Sequence, residues 1–203
     1  MPSVVIVGNS TINTNELCGK FINECDVVIR FNKYIVNEEY DKYIGSKTDF
    51  HVINRNEVNN NSLNNYCQSK IFTCASISQR KFYKEYTKKI KFKKSAYLCA
   101  EFYNDMIKDI KYTSSKKFSS GMLVLYYILN SINYKNYDIY LHNFTHSADH
   151  YLESTPNLKK YNTTHNWLYE KLYFNKQIEN KYIHRVNTFL QTQEENELTQ
   201  SKT

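Results

Sequence analysis

Apolar residues along this chain follow two alternating habits. Short runs predict strands: Ser3 to Val7, Asp26 to Phe31, Asp49 to Ile53, Lys70 to Cys74, Ala96 to Cys99, Asp138 to Leu141 and a last one over Tyr182 to Val186. The unbroken first run is what a strand buried on both faces looks like. Between them apolar residues recur at helical spacing. Leu17, Phe21 and Ile22 predict a helix over Asn15 to Asn23, and further helices are expected over Gln79 to Lys91 and Glu101 to Ile110. Ser119 or Ser120 caps a buried helix reaching Ile132, built on Met122, Leu123, Leu125, Tyr126, Ile128 and Leu129. Thr163 or Thr164 is expected to cap another that runs to Glu179. Lys111 to Lys117 reads as a polar linker, and the Asn-rich stretch from Asn59 to Asn65 as a polar loop or a frayed helix end. From Gln191 the chain is polar and aperiodic. Residues 1–190 are therefore expected to form one domain, and 191–203 a disordered tail.

Alternating strands and helices predict an α/β fold, a mostly parallel sheet flanked by helices. In such a fold the ligand sits beyond the carboxyl ends of the strands. The chain has 203 residues, 41% of them hydrophobic and 15% aromatic, enough for one well-packed core. Gly is scarce, at four, so each Gly marks a place where backbone geometry matters.

The formal charge of +7 suits an anionic ligand or surface. Basic residues concentrate between Arg80 and Lys94, interleaved with Phe82, Tyr83, Tyr86, Ile90 and Phe92. That pattern gives an amphipathic helix with one basic face, a solvated surface or a peripheral contact with an anionic membrane. No recognised nucleic-acid motif accompanies the charge, so no nucleic acid is expected as partner. Five cysteines without a Cys-x-x-Cys pair argue against a zinc site and a disulfide framework. No Asp-x-Asp or other ligand cluster is visible, so no metal is expected. With neither a leader nor an apolar run of membrane-spanning length, a reduced, cytoplasmic location is expected.

Four islands carry the candidate chemistry. Gly8-Asn9-Ser10 follows the first strand and precedes a helix, where a backbone can approach an anion. It is neither a dinucleotide fingerprint nor a P-loop. Arg30-Phe31-Asn32 closes the second strand: Arg30 reads as a support and Asn32 as an amide facing Asn9. Ser119-Ser120-Gly121 opens the buried helix and offers hydroxyls, N–H groups and the positive end of a dipole, which suits a phosphate or ribose. His165 to Glu170 supplies a histidine able to take a proton from a sugar hydroxyl.

These islands, in this order, resemble the sialyltransferases that carry the large, small, third and very small sialyl motifs. Val5 to Ser10, Val28 to Asn32 and Gly45-Ser46-Lys47-Thr48 look like the large motif. Ser119-Ser120-Gly121, with the helix and strand after it, resembles the small motif. His150-Tyr151-Leu152-Glu153 is similar to the third, and His165 with Glu170 to the His-x4-Glu of the very small motif.

The resemblance implies a single Rossmann-like domain, the sialyltransferase variant of the GT-A type, that takes CMP-sialic acid or a related CMP-linked acid. It implies inverting, metal-independent transfer to a hydroxyl of a glycan or glycolipid, with no cofactor. It places Gly8, Asn9, Ser10, Asn32, Ser119, Ser120, Gly121 and Tyr151 on the CMP donor. It makes His165 the base, sets His150 beside the donor phosphate, and gives Arg30 and Glu170 supporting roles. The family's disulfide positions fall at Ser3 or Val4 and within Asn133 to Tyr137, which lack Cys. A compact enzyme working on lipid-linked glycans such as lipooligosaccharide or capsule, from the cytoplasmic side, fits that difference. The alternative is a non-catalytic nucleotide- or glycan-binding module on the same fold.

Overall fold

A computed structural model describes residues 1–32, 34, 37–53, 70–74, 95–98, 100–131, 133–146 and 165–200. The strands are β1 (Ser3–Val7), β2 (Val27–Phe31), β3 (Phe50–Ile53), β4 (Lys70–Cys74), β5 (Ser95–Leu98), β6 (Asp138–His142) and β7 (His184–Arg185). The helices are α1 (Gly19–Glu24), α2 (Glu38–Ile44), α3 (Ala100–Asp109), α4 (Ser120–Leu129), α5 (Trp167–Glu179) and α6 (Val186–Gln200).

The strands form one seven-stranded sheet of order β5-β4-β3-β2-β1-β6-β7. Every pairing is parallel. Successive side chains alternate between the two faces. Val4, Ile6, Ile29, Phe31, Val52, Ile139 and Leu141 pack on one face with Met106 of α3, Met122, Leu125 and Tyr126 of α4, and Phe174 of α5. Val5, Val7, Val28 and Tyr140 pack on the other with Cys18, Ile22, Cys25 and Val186. Phe21, Phe189 and Leu190 lean on that second layer. This is the Rossmann-like three-layer arrangement. The chain builds outward from β1 to β5 and then returns to place β6 against the other side of β1. The order of connection reverses between β1 and β6, and a crevice at their carboxyl ends is the expected ligand site.

The strands lie where the apolar runs place them, with shifts of a residue or two. The helix starts differ for local reasons. The first helix does not begin at Asn15. Asn13 accepts the Asn15 N–H at 3.1 Å, donates to Glu16 at 2.7 Å and closes a turn that competes with helix. Leu17 is left 68% exposed, and α1 begins at Gly19. A Cβ on Gly19 would collide with the Asp41 carbonyl, so glycine permits α1 and α2 to cross. Helix α5 is capped by Asn166, whose side chain accepts the Tyr169 N–H at 3.2 Å. Thr163 and Thr164 lie outside the described residues. Helix α4 stops at Leu129, where Asn130 turns its amide onto the Tyr126 carbonyl at 2.9 Å. The edge strand β7 is only two residues long, and α6 runs on to Gln200 through the stretch expected to be an unstructured tail. The expected helix over Gln79 to Lys91, the basic stretch Arg80 to Lys94 and the Asn-rich loop lie outside the described residues. Among the described residues no helix is long and apolar enough to cross a membrane.

Candidate active site

The crevice is built around Asn143-Phe144-Thr145, the turn that leaves β6. Asn143 adopts a left-handed conformation (φ 58°). Its side chain donates to the Ser10 carbonyl at 2.6 Å and the Gly8 carbonyl at 3.3 Å. The Gly8 N–H donates to the His142 carbonyl at 2.8 Å. A Cβ on Gly8 would run into the Asn143 carbonyl, so the close approach that this glycine permits is to the β6 turn. Ser10 is engaged in the same way: its hydroxyl accepts the Thr145 N–H at 3.0 Å and pairs with the Thr145 hydroxyl at 2.9 Å.

Phe144 joins two islands that are distant in sequence. A Cβ on Gly121 would lie 2.6 Å from Phe144 Cε1, and one on Gly8 would lie 3.1 Å from its Cγ. Both glycines therefore pack directly on this ring. The ring also meets Phe31 and Phe174, at centroid distances of 6.2 and 5.3 Å. Nothing in the sequence singles out Asn143 or Phe144. The one available signal is their place immediately after the last long strand.

On the β2 side, Asn9 donates its amide to the Phe31 carbonyl at 2.8 Å and ties the two strand ends together. Asn32 is left-handed (φ 47°), and its N–H reaches the Val52 carbonyl at 2.7 Å. Its own carbonyl accepts His51 Nε2–H at 2.6 Å. Burial pushes His51 down to about 4, so the ring is neutral and this tautomer holds. The Arg30 guanidinium donates to the carbonyls of Ile44 (2.7 Å), Gly45 (2.9 Å) and Lys47 (3.0 Å). That fixes the turn around Gly45, which is left-handed (φ 67°).

Helix α4 opens on the third island. Ser119 is its N-cap, with its hydroxyl accepting the Met122 N–H at 3.2 Å. Ser119 also donates twice to Glu170: its N–H at 2.7 Å and its hydroxyl at 2.6 Å. Burial raises the Glu170 carboxyl to about 7, although both Ser119 bonds favour the charged form. Glu170 thus holds the start of α4 as well as belonging to α5. The Ser120 and Gly121 N–H groups are used by no other described residue, as expected for the first turn of a helix.

His165 is brought to the same place. It bridges to Lys117 in parallel fashion, and its Nδ1 lies 3.3 Å from the Lys117 carbonyl. A carbonyl only accepts, so in the neutral ring Nδ1 carries the proton and Nε2 is the basic nitrogen. The Trp167 ring packs against it at 4.9 Å. His150 and Tyr151 lie outside the described residues. The fold therefore gathers Gly8, Asn9, Ser10 and Asn32 at the β1 and β2 ends, joined through Phe144 to Gly121, with Ser119, Glu170 and His165 beside it.

No cluster of metal-ligating residues is visible in the sequence, yet Glu16, Cys18 and His142 come together with their ligand atoms within 4.8 Å of one another.

Comparison with known proteins places this geometry in a family. No curated protein matches the chain. Two crystal structures of a mammalian sialyltransferase share the fold at 18% identity. One is in complex with Gal-beta-1-3GalNAc-ortho-nitrophenol, with a TM-score of 0.67 over 91% of this chain and 69% of that one. The other has a TM-score of 0.69 over 92% and 69%. The profile of glycosyltransferase family 29 (sialyltransferase) matches residues 2–115, more than half of the sequence, with β1 to β5 and both the Asn9 and Asn32 islands inside it. The chain belongs to glycosyltransferase family 29, the sialyltransferases.

Proposed function

We propose that this glycosyltransferase moves sialic acid, or a related acidic sugar, from a CMP donor to a glycan hydroxyl with inversion and without a metal. The observation that carries the reading is the joining of Ser119 to Glu170 and of Lys117 to His165, which sets a basic imidazole nitrogen beside the start of α4. The Ser120 and Gly121 N–H groups and the Ser120 hydroxyl bind the donor phosphate at the positive end of α4. Asn9 and Asn32 face the cytidine side, and His150 and Tyr151 complete the donor site. As the glycosidic bond breaks, negative charge grows on the departing phosphate, and fixed donors there lower the barrier without reorganising. His165 Nε2 takes the proton of the acceptor hydroxyl as it attacks from the face opposite the leaving CMP. Glu170 is a positioning residue: it clamps the cap of α4 and touches no reacting atom. The partners of this reading are the CMP-sugar and a glycan or glycolipid acceptor. The basic stretch Arg80 to Lys94 would hold the enzyme at the inner face of an anionic membrane.

Turnover of CMP-sialic acid and CMP-Kdo in EDTA tests the reading, together with thermal shifts in CMP, CDP, UDP, GDP, ADP and NAD. Cytidine nucleotides alone should raise the melting midpoint. His165→Ala should lower turnover by about 10²–10⁴-fold and leave the CMP shift intact. Equal turnover in this variant removes His165 as base. CMP binding without turnover in the unaltered chain makes the protein a binding module instead.

A further inference from the structure

Glu16, Cys18 and His142 meet on the α1 and α6 side of the sheet, away from the start of α4. His142 follows Tyr140 by two residues on β6 and so faces the same layer as Tyr140, Cys18 and Val186. Cys18, at 2% exposure, and His142, at 7%, are both buried. No hydrogen bond to another described residue is made by the Cys18 thiol or the His142 ring. Glu16 points a carboxylate at them. Its Oε1 accepts the Asn13 amide at 2.7 Å and the Asn187 amide at 3.2 Å. No lysine or arginine among the described residues lies within salt-bridge distance of it.

We infer that Glu16, Cys18 and His142 form a structural site for one divalent transition metal, of which Zn²⁺ is the best match. The ligand types select it: a thiolate and an imidazole favour Zn²⁺ and Co²⁺ over Mg²⁺ or Ca²⁺. The charges also balance. Zn²⁺ with one thiolate, one carboxylate and a neutral imidazole is a neutral group, which is what a buried place accepts. Binding displaces the Cys18 thiol proton to solvent, and a water completes the tetrahedron. The spread of up to 4.8 Å between ligand atoms contracts to about 3.5 Å around a tetrahedral ion. The Asn13 and Asn187 amides orient the carboxylate as outer partners do at metal sites. The ion would tie the segment after the Gly8-Asn9-Ser10 loop to the end of β6, whose His142 carbonyl holds the Gly8 N–H. It plays no part in the transfer reaction, and this inference does not rest on the proposed donor.

The test is titration of the metal-stripped full chain with Co²⁺, read by ultraviolet-visible absorption, followed by displacement with Zn²⁺. The expected result is a thiolate-to-cobalt charge-transfer band that saturates at one equivalent and is abolished by Zn²⁺. Zn²⁺ should also raise the melting midpoint by several degrees. Cys18→Ser should lose the band with an unchanged far-ultraviolet circular dichroism spectrum. Glu16→Gln, at a partly exposed position that tolerates substitution, should weaken affinity at least tenfold, and Asn187→Ala about 10–100-fold. Absence of the band, its survival in Cys18→Ser, or unchanged affinity in Glu16→Gln overturns the site.

Discussion

Gly8 and Gly121 stand more than a hundred residues apart, yet each is required to be glycine by the same turn. On Gly121 the obstacle is the Phe144 side chain, with Cε1 2.6 Å from where a Cβ would stand. On Gly8 the nearest obstacle is the Asn143 backbone carbonyl. The two substitutions should therefore respond differently to relief. Gly121→Ala should destabilise by about 1–3 kcal/mol through overpacking. Combining it with Phe144→Ala should recover much of that cost, as a favourable coupling in a double-mutant cycle. Gly8→Ala should destabilise at least as much and recover little in the Phe144→Ala background, since backbone cannot be trimmed. Urea unfolding of the variants measures both cycles, and equal recovery for the two glycines would show that the Gly8 constraint is not the backbone.

The starts of helices α4 and α5 are tied together by Ser119 and Glu170. Ser119 caps α4 and, with its N–H and hydroxyl, holds Glu170 in the first turn of α5. Ser119→Ala removes the cap and one of the two donors to Glu170. It should cost about 1–3 kcal/mol in chemical denaturation. Glu170→Ala should cost a similar amount, and the pair should be coupled by about 0.5–3 kcal/mol. Additive losses would mean that the two helices are held together by their packing alone. That packing is substantial: Phe174 of α5 is 1% exposed and lies in one core cluster with Met122, Leu125 and Tyr126 of α4. The cap itself was legible from the sequence as a serine opening an apolar run. Its partner was legible only as a glutamate on a helix, because nothing in linear order shows which end of another helix it faces.

The whole molecule carries opposing proton linkages. Burial holds His51, His142 and His146 at about 4, below the ordinary 6.5. The unfolded chain therefore takes up protons first as the pH falls, and the stability these rings contribute is lost from pH 6.5 toward 4. Glu170 runs the other way. Its carboxyl is raised from 4.5 to about 7, so the folded state keeps a proton that the unfolded chain has released. Its contribution is present below pH 4.5 and is lost as the pH rises through 7. Three rings outweigh one carboxyl, so stability should rise by a few kcal/mol between pH 4.5 and 6.5 and slip slightly just above. In Glu170→Gln the rise should steepen and the slip should vanish. Melting curves across pH 4 to 8 give both profiles, and profiles of the same shape would place the Glu170 carboxyl at its ordinary value.

Periodicity by itself determined the strands among the described residues, the parallel α/β layering and the buried α4, because each follows from the pattern of one segment: a strand buried on both faces must read as an apolar run, and a helix in a core must repeat its apolar residues. The islands at Asn9, Asn32, Ser119 and His165 were legible as turns and caps with exposed polar chemistry at predicted element ends. The tertiary structure alone decided what those islands touch. Asn13 rather than helical spacing set the start of α1, and Asn166 the start of α5. The reversal of connection between β1 and β6 brought Asn143 and Phe144 to Gly8 and Gly121. The same reversal set His142 beside Cys18, residues whose meeting no spacing rule encodes. Local patterns are fixed by nearest neighbours along the chain, whereas a site is assembled by strand order, and strand order is settled only when the whole sheet closes its core.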